Sequence, residues 1–379
     1  MILTWFAAAS VLVPPPNGRP QGAPERARTG EHGKIAWFSG SFDEALAEAK
    51  ANQKLVFVDF WTESCGWCKR LDRETYSDDA VVSGMKDLVC LNLDAQSRAG
   101  KPVALRYQVR LYPTLIFLAS DGSLEERIEG YLPPASFKKE VERIRAGKGT
   151  LGELRRQVEG DRTDPDKRYR LGRRLADLGD AAGRDAQVAE IRRLDPAGSS
   201  LAMHHLAFEE LVAKISAGWQ KSQSLDTASM EAFVGKETYP EVLFEARRSL
   251  GQMYKYLGDQ DERAGDTAAA RRHRADARNA MKAAWSSVPE DQVVEYGNTV
   301  AWYFYESRED LAPADKTFAL EVAERFAPGA QDDVNALDTY ACALFLNGKK
   351  EQALQQIARC IELDPKNGDW KDRRAQFLK

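Results

Sequence analysis

The sequence predicts an α/β domain followed by an all-α domain that is built from repeated helix pairs. Between residues 35 and 147, short apolar runs rich in Val, Leu and Phe alternate with stretches of helical periodicity. Two cysteines three positions apart, Cys65 and Cys68, directly follow one of those apolar runs. Beyond residue 150 the periodicity is helical almost throughout, and Leu-Gly and Asp-Pro pairs recur along it. The length of 379 residues leaves room for two or three domains.

The composition is that of a soluble globular protein, with 43% hydrophobic and 30% charged residues. The formal net charge of −4 gives no electrostatic reason to expect a nucleic acid or an anionic membrane as a partner. Five cysteines are too few for a disulfide scaffold in a chain of this length. The patterns around Cys90, Cys342 and Cys360 predict that these three thiols are buried for packing.

The N-terminal residues predict a targeting segment and a linker. Residues 2–13 are apolar except for Thr4 and Ser10, which suits the core of a secretory signal but is too short to span a bilayer. No Lys or Arg precedes this stretch, so a disordered tail is the alternative. Residues 17–32 are rich in Pro, Gly and Arg and predict a flexible linker, which leaves residues 1–34 outside the folded domains. We therefore expect a secreted or periplasmic protein without a stable membrane span, with the cytoplasm as the alternative location.

The elements of the α/β domain can be placed in order from residue 35 to residue 147. An acidic first turn marks the first helix, Asp121-Gly122 marks a hairpin, and Gly147-Lys148-Gly149 predicts the end of the domain. The predicted helices are residues 42–52, 65–71, 79–86, 102–107 and 134–146. The predicted strands are residues 55–60, residues 89–93 parallel to them, a strand within residues 109–117, and residues 124–128.

The closely spaced cysteines predict a redox dithiol. Cys65 lies at the start of a predicted helix, where the partial positive charge and unpaired N–H groups favour a thiolate, so it is the candidate attacking sulfur. Cys68 lies one turn deeper and is the candidate resolving sulfur.

A zinc site is the first alternative to a redox dithiol, but the other cysteines and the four histidines supply no second ligand pair at suitable spacing. A soft-metal site is the second, but no Met-rich or His-rich segment flanks the pair. We expect no metal and no cofactor beyond the Cys65–Cys68 disulfide itself.

Further motifs on either side of the cysteines carry a family resemblance. Asp59 lies six residues before Cys65 on the predicted strand, and Tyr112-Pro113 lies downstream within residues 109–117. In this combination, residues 30–145 resemble the thioredoxin family. The resemblance implies a thioredoxin fold, in which a buried Asp59 assists proton transfer from Cys68 and a cis Pro113 presents the backbone of Tyr112 to an extended substrate. The implied substrate contacts are Trp61, Gly66, Trp67, Tyr112 and Pro113.

The chain departs from thioredoxin itself at three places. Gly66-Trp67 stands between the cysteines in place of Gly-Pro, and this dipeptide tunes redox poise. Cys90 stands where thioredoxins place a lysine near the buried acid, so we expect the pKa of Asp59 to be raised. Residues 69–82 are instead similar to the C-terminal thioredoxin-like domain of the transmembrane thiol:disulfide interchange reductase. That similarity implies reduction or interchange of disulfides in protein substrates rather than bulk oxidation.

Residues 148–379 resemble a degenerate array of tetratricopeptide repeats. Three copies share a small residue in the first helix, a glycine at the turn and, in two of them, a proline after the second helix. These positions are Gly172, Gly251 and Ala341 for the small residue, Gly179, Gly258 and Gly348 for the turn, and Pro196 and Pro365 for the proline. We predict that residues 261–285 run as one long inserted helix. The alternative is an ordinary helical bundle.

Two further patterns in the helical part have structural interpretations. His204 and His205 are adjacent, so on a helix they point about 100° apart and make a poor chelating pair. The aromatic residues 302–305 cover too much of a helix's circumference to form one stripe, which predicts repeat-packing core.

The sequence therefore predicts an enzyme, a thiol–disulfide oxidoreductase whose helical repeats bind a protein or peptide partner on a concave surface. The alternative is an interaction scaffold or redox sensor in which the thioredoxin-like module has little turnover.

Overall fold

The computed structural model describes residues 33–331 and 333–378, which divide into two compact units, residues 33–203 and residues 204–378. The predicted signal-like stretch (residues 2–13) and linker (residues 17–32) lie outside the described residues. Among the residues that are described, no helix is both long enough and apolar enough to cross a membrane.

The first unit contains a four-stranded sheet in the order β2-β1-β3-β4. Strand β1 (Leu55–Trp61) pairs in parallel with β2 (Leu88–Asp94) and antiparallel with β3 (Thr114–Leu118), and β3 pairs antiparallel with β4 (Leu124–Glu129). The helices of this unit are α1 (Phe42–Asn52), α2 (Gly66–Arg70), α3 (Asp79–Met85), α4 (Gly100–Arg106), α5 (Pro134–Arg145), α6 (Leu151–Gly160), α7 (Pro165–Asp177) and α8 (Ala181–Leu194). This arrangement confirms the predicted α/β architecture with its parallel first pair of strands and its final hairpin.

The sheet is covered by helices on both faces, which explains why its strands are apolar along their whole length. Six of the seven residues of β1 are buried. Alternate residues point to opposite faces, so Phe57 packs with α3 and α5 while Val58 packs with α1 and α4. The side chain of Asp59 shares the face of Phe57, because the two residues are two positions apart. The central strand therefore carries one acid into an otherwise apolar core.

Most predicted boundaries agree with the structure to within two residues, since they depend on local capping signals. Ser41 caps α1 and exchanges hydrogen bonds with Glu44, and Asp78 accepts the N–H groups of the first turn of α3. The helix after β1 also agrees with its predicted bounds to within one residue. It is α-helical only as far as Arg70, and Leu71–Thr75 then form a π-helical turn.

Helices α6 and α7 follow Gly147-Lys148-Gly149 and are bonded to the last strand of the sheet. The two compact units divide after residue 203, and the domain boundary predicted after residue 147 stays a prediction. Glu125 of β4 is 7% exposed and accepts two hydrogen bonds from Arg156 of α6, at 2.5 and 3.2 Å. Glu126 is fully buried and pairs with Arg143 of α5 at 3.0 Å and with Arg174 of α7.

The second unit is helical throughout its described residues. Its helices are α9 (Leu201–Ser222), which begins at the end of the first unit, α10 (Thr227–Val234), α11 (Pro240–Ala264), α12 (Thr267–Trp285), α13 (Val293–Glu306), α14 (Pro313–Phe326), α15 (Val334–Leu346), α16 (Lys350–Leu363) and α17 (Asp369–Leu378). Successive helices pack as pairs, α11 with α12, α13 with α14 and α15 with α16, as α7 and α8 do in the first unit. Such pairing is what a repeat array requires, and the tetratricopeptide assignment stays a prediction.

One predicted helix in this unit is wrong, because residues 261–285 are not continuous. α11 ends before Gly265, which has φ of +80°, and Asp266 caps the start of α12. Gly258, predicted at a turn, therefore lies inside α11. An added Cβ there would lie 3.2 Å from Cγ of Arg274, so this glycine permits close packing of α12.

The other predictions for the helical part concern burial and the histidines. Residues 303–305 are buried and Trp302 packs against the same core, which confirms the core interpretation of this aromatic run. The thiols of Cys90, Cys342 and Cys360 are buried, as predicted. His204 contacts the carboxylate of Glu237 at 2.9 Å, which gives this histidine a carboxylate partner within the unit.

Candidate active site

The two closely spaced cysteines lie directly after the central strand. β1 ends at Trp61, a short loop follows, and Cys65 is the N-terminal cap of α2, with φ of −76° and ψ of 102°. Its Sγ is joined to Sγ of Cys68 at 2.04 Å and accepts a hydrogen bond from the Cys68 backbone N–H at 3.0 Å. Cys65 is half-buried and Cys68 is 1% exposed. Cys65 is therefore the more accessible of the two cysteines, and their roles as attacking and resolving sulfur stay a prediction.

The same geometry favours a thiolate at Cys65 once the disulfide is reduced. The Cys68 N–H belongs to the first turn of the helix, where N–H groups have no partner within the helix. A negatively charged sulfur is stabilised by such a group and by the positive end of the helix dipole. This stabilisation supports nucleophilic attack near neutral pH.

Asp59 lies on β1, six residues before Cys65 in the sequence. It is 2% exposed, and its Oδ2 accepts a hydrogen bond from Nδ2 of Asn92 at 3.3 Å. The two residues are direct partners in the β1–β2 register. The structure thus places Asp59 in the core as predicted, and it adds Asn92 as a neutral hydrogen-bond donor to its carboxylate.

Cys90 lies beside this acid on the same face of the sheet, paired in register with Phe57. Burial raises the pKa of its thiol to about 12, with a small opposing effect from Lys54. The thiol lies 3.8 Å from the backbone oxygen of Met85. Cys90 is therefore a neutral group at neutral pH. The raised pKa of Asp59 that we expect from this substitution stays a prediction.

Tyr76 is a buried residue of this region that sequence reasoning missed. It follows the π-helical turn directly and packs edge-on against the rings of Trp37, Phe57 and Phe137. Burial raises its pKa well above the ordinary value, and the charge of nearby Asp59 raises it further. The hydroxyl consequently stays protonated in a rigid aromatic layer next to the acid.

The Tyr112–Pro113 peptide bond is cis, as the motif predicted. Thr114 begins β3 and pairs in register with Phe60, so Pro113 lies level with the end of β1, where the chain leaves for Cys65. The carbonyl oxygen of Pro113 accepts a hydrogen bond from Gly130 at 2.9 Å. The cis-proline segment and the dithiol therefore lie at the same end of the sheet.

The predicted substrate contacts differ in exposure. Trp67 is 56% exposed, and Gly66 is exposed with open space where a Cβ would stand. Tyr112 is half-buried, whereas Trp61 and Pro113 are buried. A side chain is thus accessible at Trp67 and in part at Tyr112, and the substrate contacts stay predictions.

Trp67 belongs to a group that we call the Tyr131 cluster, consisting of Trp67, Arg70, Glu74 and Tyr131. Arg70 packs over both rings, with Cζ 5.6 Å from the Trp67 centroid and 4.6 Å from the Tyr131 centroid. Glu74 accepts hydrogen bonds from Arg70 and from the Tyr131 hydroxyl, both at 2.8 Å. The last three members were not predicted, because Tyr131 is 57 residues from Glu74 in the sequence.

The Glu74 carboxylate makes this cluster sensitive to strong acid. Hydrogen bonds from Arg70, Tyr131 and Arg73, in that order, lower its pKa from 4.5 to about 2. Because the folded pKa is the lower one, the stabilisation is complete above pH 4.5 and is lost as the pH falls towards 2.

We expect the indole N–H resonance of Trp67 to keep its chemical shift down to about pH 3 and to move when the pH falls below 3. In Glu74→Gln no such titration should occur. A titration midpoint near pH 4.5 in the unsubstituted protein would show that these hydrogen bonds do not hold the Glu74 carboxylate.

Comparison with known proteins places these features in a context. Residues 42–145 match the family model described as a thioredoxin-like domain. The thiol:disulfide interchange protein DsbD of Salmonella choleraesuis is 32% identical over 99 residues, which cover 25% of this chain and 17% of that protein. The chain thus spans less than a fifth of the curated relatives that it matches.

Two solved structures are similar to the same region. A putative disulphide-isomerase from Bacteroides thetaiotaomicron is 34% identical, with 30% of this chain and 96% of that chain covered and a TM-score of 0.28. A thioredoxin from Thermus thermophilus is 30% identical, with 29% of this chain and 87% of that chain covered and a TM-score of 0.27.

Proposed function

Because residues 42–145 are a thioredoxin-like domain, we propose that this chain is a thiol–disulfide oxidoreductase that reduces or interchanges disulfides in protein substrates. One observation carries the proposal. The Cys65–Cys68 pair lies at the start of a helix, with the first sulfur accessible and the second buried behind it. That arrangement separates an attacking thiol from a resolving thiol.

The proposed reaction proceeds in two exchanges. The Cys65 thiolate attacks one sulfur of the substrate disulfide, the S–S bond of the substrate breaks, and its other sulfur leaves as a thiolate. Cys68 then loses its proton and attacks Sγ of Cys65, which releases the second substrate thiolate and forms the Cys65–Cys68 disulfide. The substrate gains two electrons and two protons, and the dithiol loses them. A dithiol reductant restores the reduced pair by the reverse exchange.

Two nearby residues support these steps. Asp59 is the buried carboxylate on the same strand and accepts the proton of Cys68 as the mixed disulfide is resolved. The Tyr112–Pro113 segment presents its backbone to an extended substrate at the end of the sheet where Cys65 lies. Since the Cys68 thiol is 1% exposed, its proton needs an acceptor inside the protein rather than in bulk solvent.

The remaining parts of the proposal concern location and partners. Similarity to thiol:disulfide interchange proteins supports a role outside the cytoplasm, in keeping with the signal-like residues 2–13. The paired helices of residues 204–378 support binding of a protein or peptide partner, since stacked helix pairs present extended surfaces.

Trapping of substrates tests the proposal. We expect Cys68→Ser to accumulate a mixed disulfide between Cys65 and the substrate, because the resolving sulfur is gone. Oxidised insulin is incubated with the reduced variant, and the adducts are separated by non-reducing electrophoresis and identified by mass spectrometry. The double variant Cys65→Ser/Cys68→Ser is the matched control and should give no adduct. Adducts through Cys90, Cys342 or Cys360 instead of Cys65 would contradict the mechanism.

A further inference from the structure

Trp67 is held in place although more than half of its surface is exposed. Its ring lies 5.7 Å from that of Tyr131 at an interplanar angle of 31°, and Arg70 stacks on both rings. Exposure of a large apolar side chain to water is unfavourable. A binding role would explain why Trp67 stands exposed between the two cysteines. These contacts leave more than half of the Trp67 surface open to solvent, two residues from Cys65 in the chain.

The cluster is closed by hydrogen bonds that restrict Arg70. Glu74 binds Nε of Arg70 and the Tyr131 hydroxyl at the same oxygen, and its other oxygen accepts from Arg73 at 2.9 Å. An arginine that packs over two rings and whose Nε is hydrogen-bonded to a carboxylate has few remaining rotamers. The indole of Trp67 is therefore packed against an ordered surface rather than a mobile one.

The backbone near Tyr131 connects both sides of the dithiol. Gly130, with φ of +86°, donates its N–H to the carbonyl oxygen of Pro113 at 2.9 Å. Two residues later, the carbonyl oxygen of Leu132 accepts a hydrogen bond at 2.6 Å from the buried Thr75, at the end of the π-helical turn. Residues 130–132 thus bridge the cis-proline segment and the helix that carries the cysteines.

We propose that Tyr131, Arg70 and Glu74 are positioning residues that hold Trp67 as a specificity-determining contact for a bulky apolar side chain next to the substrate's disulfide. The inference rests on the proposed oxidoreductase function and assigns its substrate class. Leu111, which is 44% exposed and lies two residues before Pro113, provides a second apolar contact on the cis-proline side.

Two synthetic peptides distinguish this role from a purely structural one. Each carries one intramolecular disulfide in an extended sequence, and they differ only in a Phe or a Gly next to the attacked cysteine. We expect the full chain to prefer the Phe peptide about tenfold in kcat/KM, through KM, which corresponds to about 1.4 kcal/mol. Trp67→Ala and Tyr131→Ala should each lower the ratio of kcat/KM between the Phe and Gly peptides to about one. Any change in redox poise caused by Trp67→Ala affects both peptides and cancels in this ratio. Tyr131→Phe keeps the ring and loses only the hydroxyl, so its preference for the Phe peptide should be about threefold smaller than that of the unsubstituted protein.

The matched control is Leu105→Ala, which removes a side chain that is 69% exposed on α4, and it should keep the full preference. The double variant Trp67→Ala/Tyr131→Ala should lose no more than either single variant, since both remove the same contact. Equal losses for both peptides in Tyr131→Ala, or a full preference retained in Trp67→Ala, would overturn the inference and leave the oxidoreductase function standing. Failure of the unsubstituted protein to reduce either peptide would overturn both.

Discussion

Replacement of Cys65 by serine is expected to lower disulfide reductase activity about a thousandfold or more, because the reaction loses its nucleophile. A serine hydroxyl at this position stays protonated at neutral pH and forms no mixed disulfide. The measurement is the rate of insulin reduction, followed by turbidity with dithiothreitol as electron donor, together with reduction of glutathione disulfide. Far-UV circular dichroism should be unchanged, since the side chain is small and half-buried.

The control for this prediction is Cys342→Ala, which removes a thiol that is buried in the helical unit. Its activity should equal that of the unsubstituted protein. Insulin reduction that survives in Cys65→Ser would remove the basis of the mechanism. Such a result would instead favour the scaffold or redox-sensor alternative, in which the thioredoxin-like module has little turnover.

Replacement of Glu126 by alanine is expected to cause a large loss of stability within the sheet unit. The carboxylate is fully buried and pairs with Arg143 and Arg174, so its removal leaves two guanidinium groups without their common partner. Breaking a buried ion pair from one side costs about 3–5 kcal/mol. Both arginines keep about a quarter of their surface in water, which lowers our expectation to about 2–4 kcal/mol.

Hydrogen exchange measured on the full chain can localise this effect. Peptides that contain β4 and α7 should exchange about 30-fold faster or more in Glu126→Ala, which is the equivalent of 2 kcal/mol. Glu129→Ala is the matched control on the same strand, because Glu129 is 44% exposed and lies 3.6 Å from Arg127. We expect its exchange pattern to be unchanged. Equal protection in both variants would show that the buried pairs do not hold α7 to the sheet.

The sheet and its helices were predictable because their signals are local. Apolar runs of strand length and capping residues such as Ser41 and Asp78 are read within a few positions. The break between α11 and α12 has a local signal too, since Gly265-Asp266 is the combination of a helix-ending glycine and a capping acid. The helical periodicity on both sides of that dipeptide concealed it.

The candidate site divides in the same way between local and distant signals. Cys65, Cys68 and Asp59 belong to one strand–turn–helix segment. The spacing of the cysteines identified the dithiol, and the resemblance to thioredoxins added Asp59. Asn92 reaches the site through its hydrogen bond to Asp59, which lies 33 positions away in the sequence. Tyr131 reaches it through its hydrogen bond to Glu74, which lies 57 positions away. Such contacts are set by the register of the sheet and by the packing of a loop, and neither leaves a pattern along the sequence.

Glu125 and Glu126 pair with arginines of α6 and α7, and this pairing limits how the sheet can be exchanged between proteins during evolution. The acids belong to the sheet, and two of the arginines lie beyond Gly147-Lys148-Gly149, which looks like a natural place to cut. A thioredoxin-like domain grafted from another protein onto these helices would leave Arg156 and Arg174 facing a strand without the matching acids. We therefore expect the acids of β4 and the arginines of α6 and α7 to change together when this domain is exchanged between proteins.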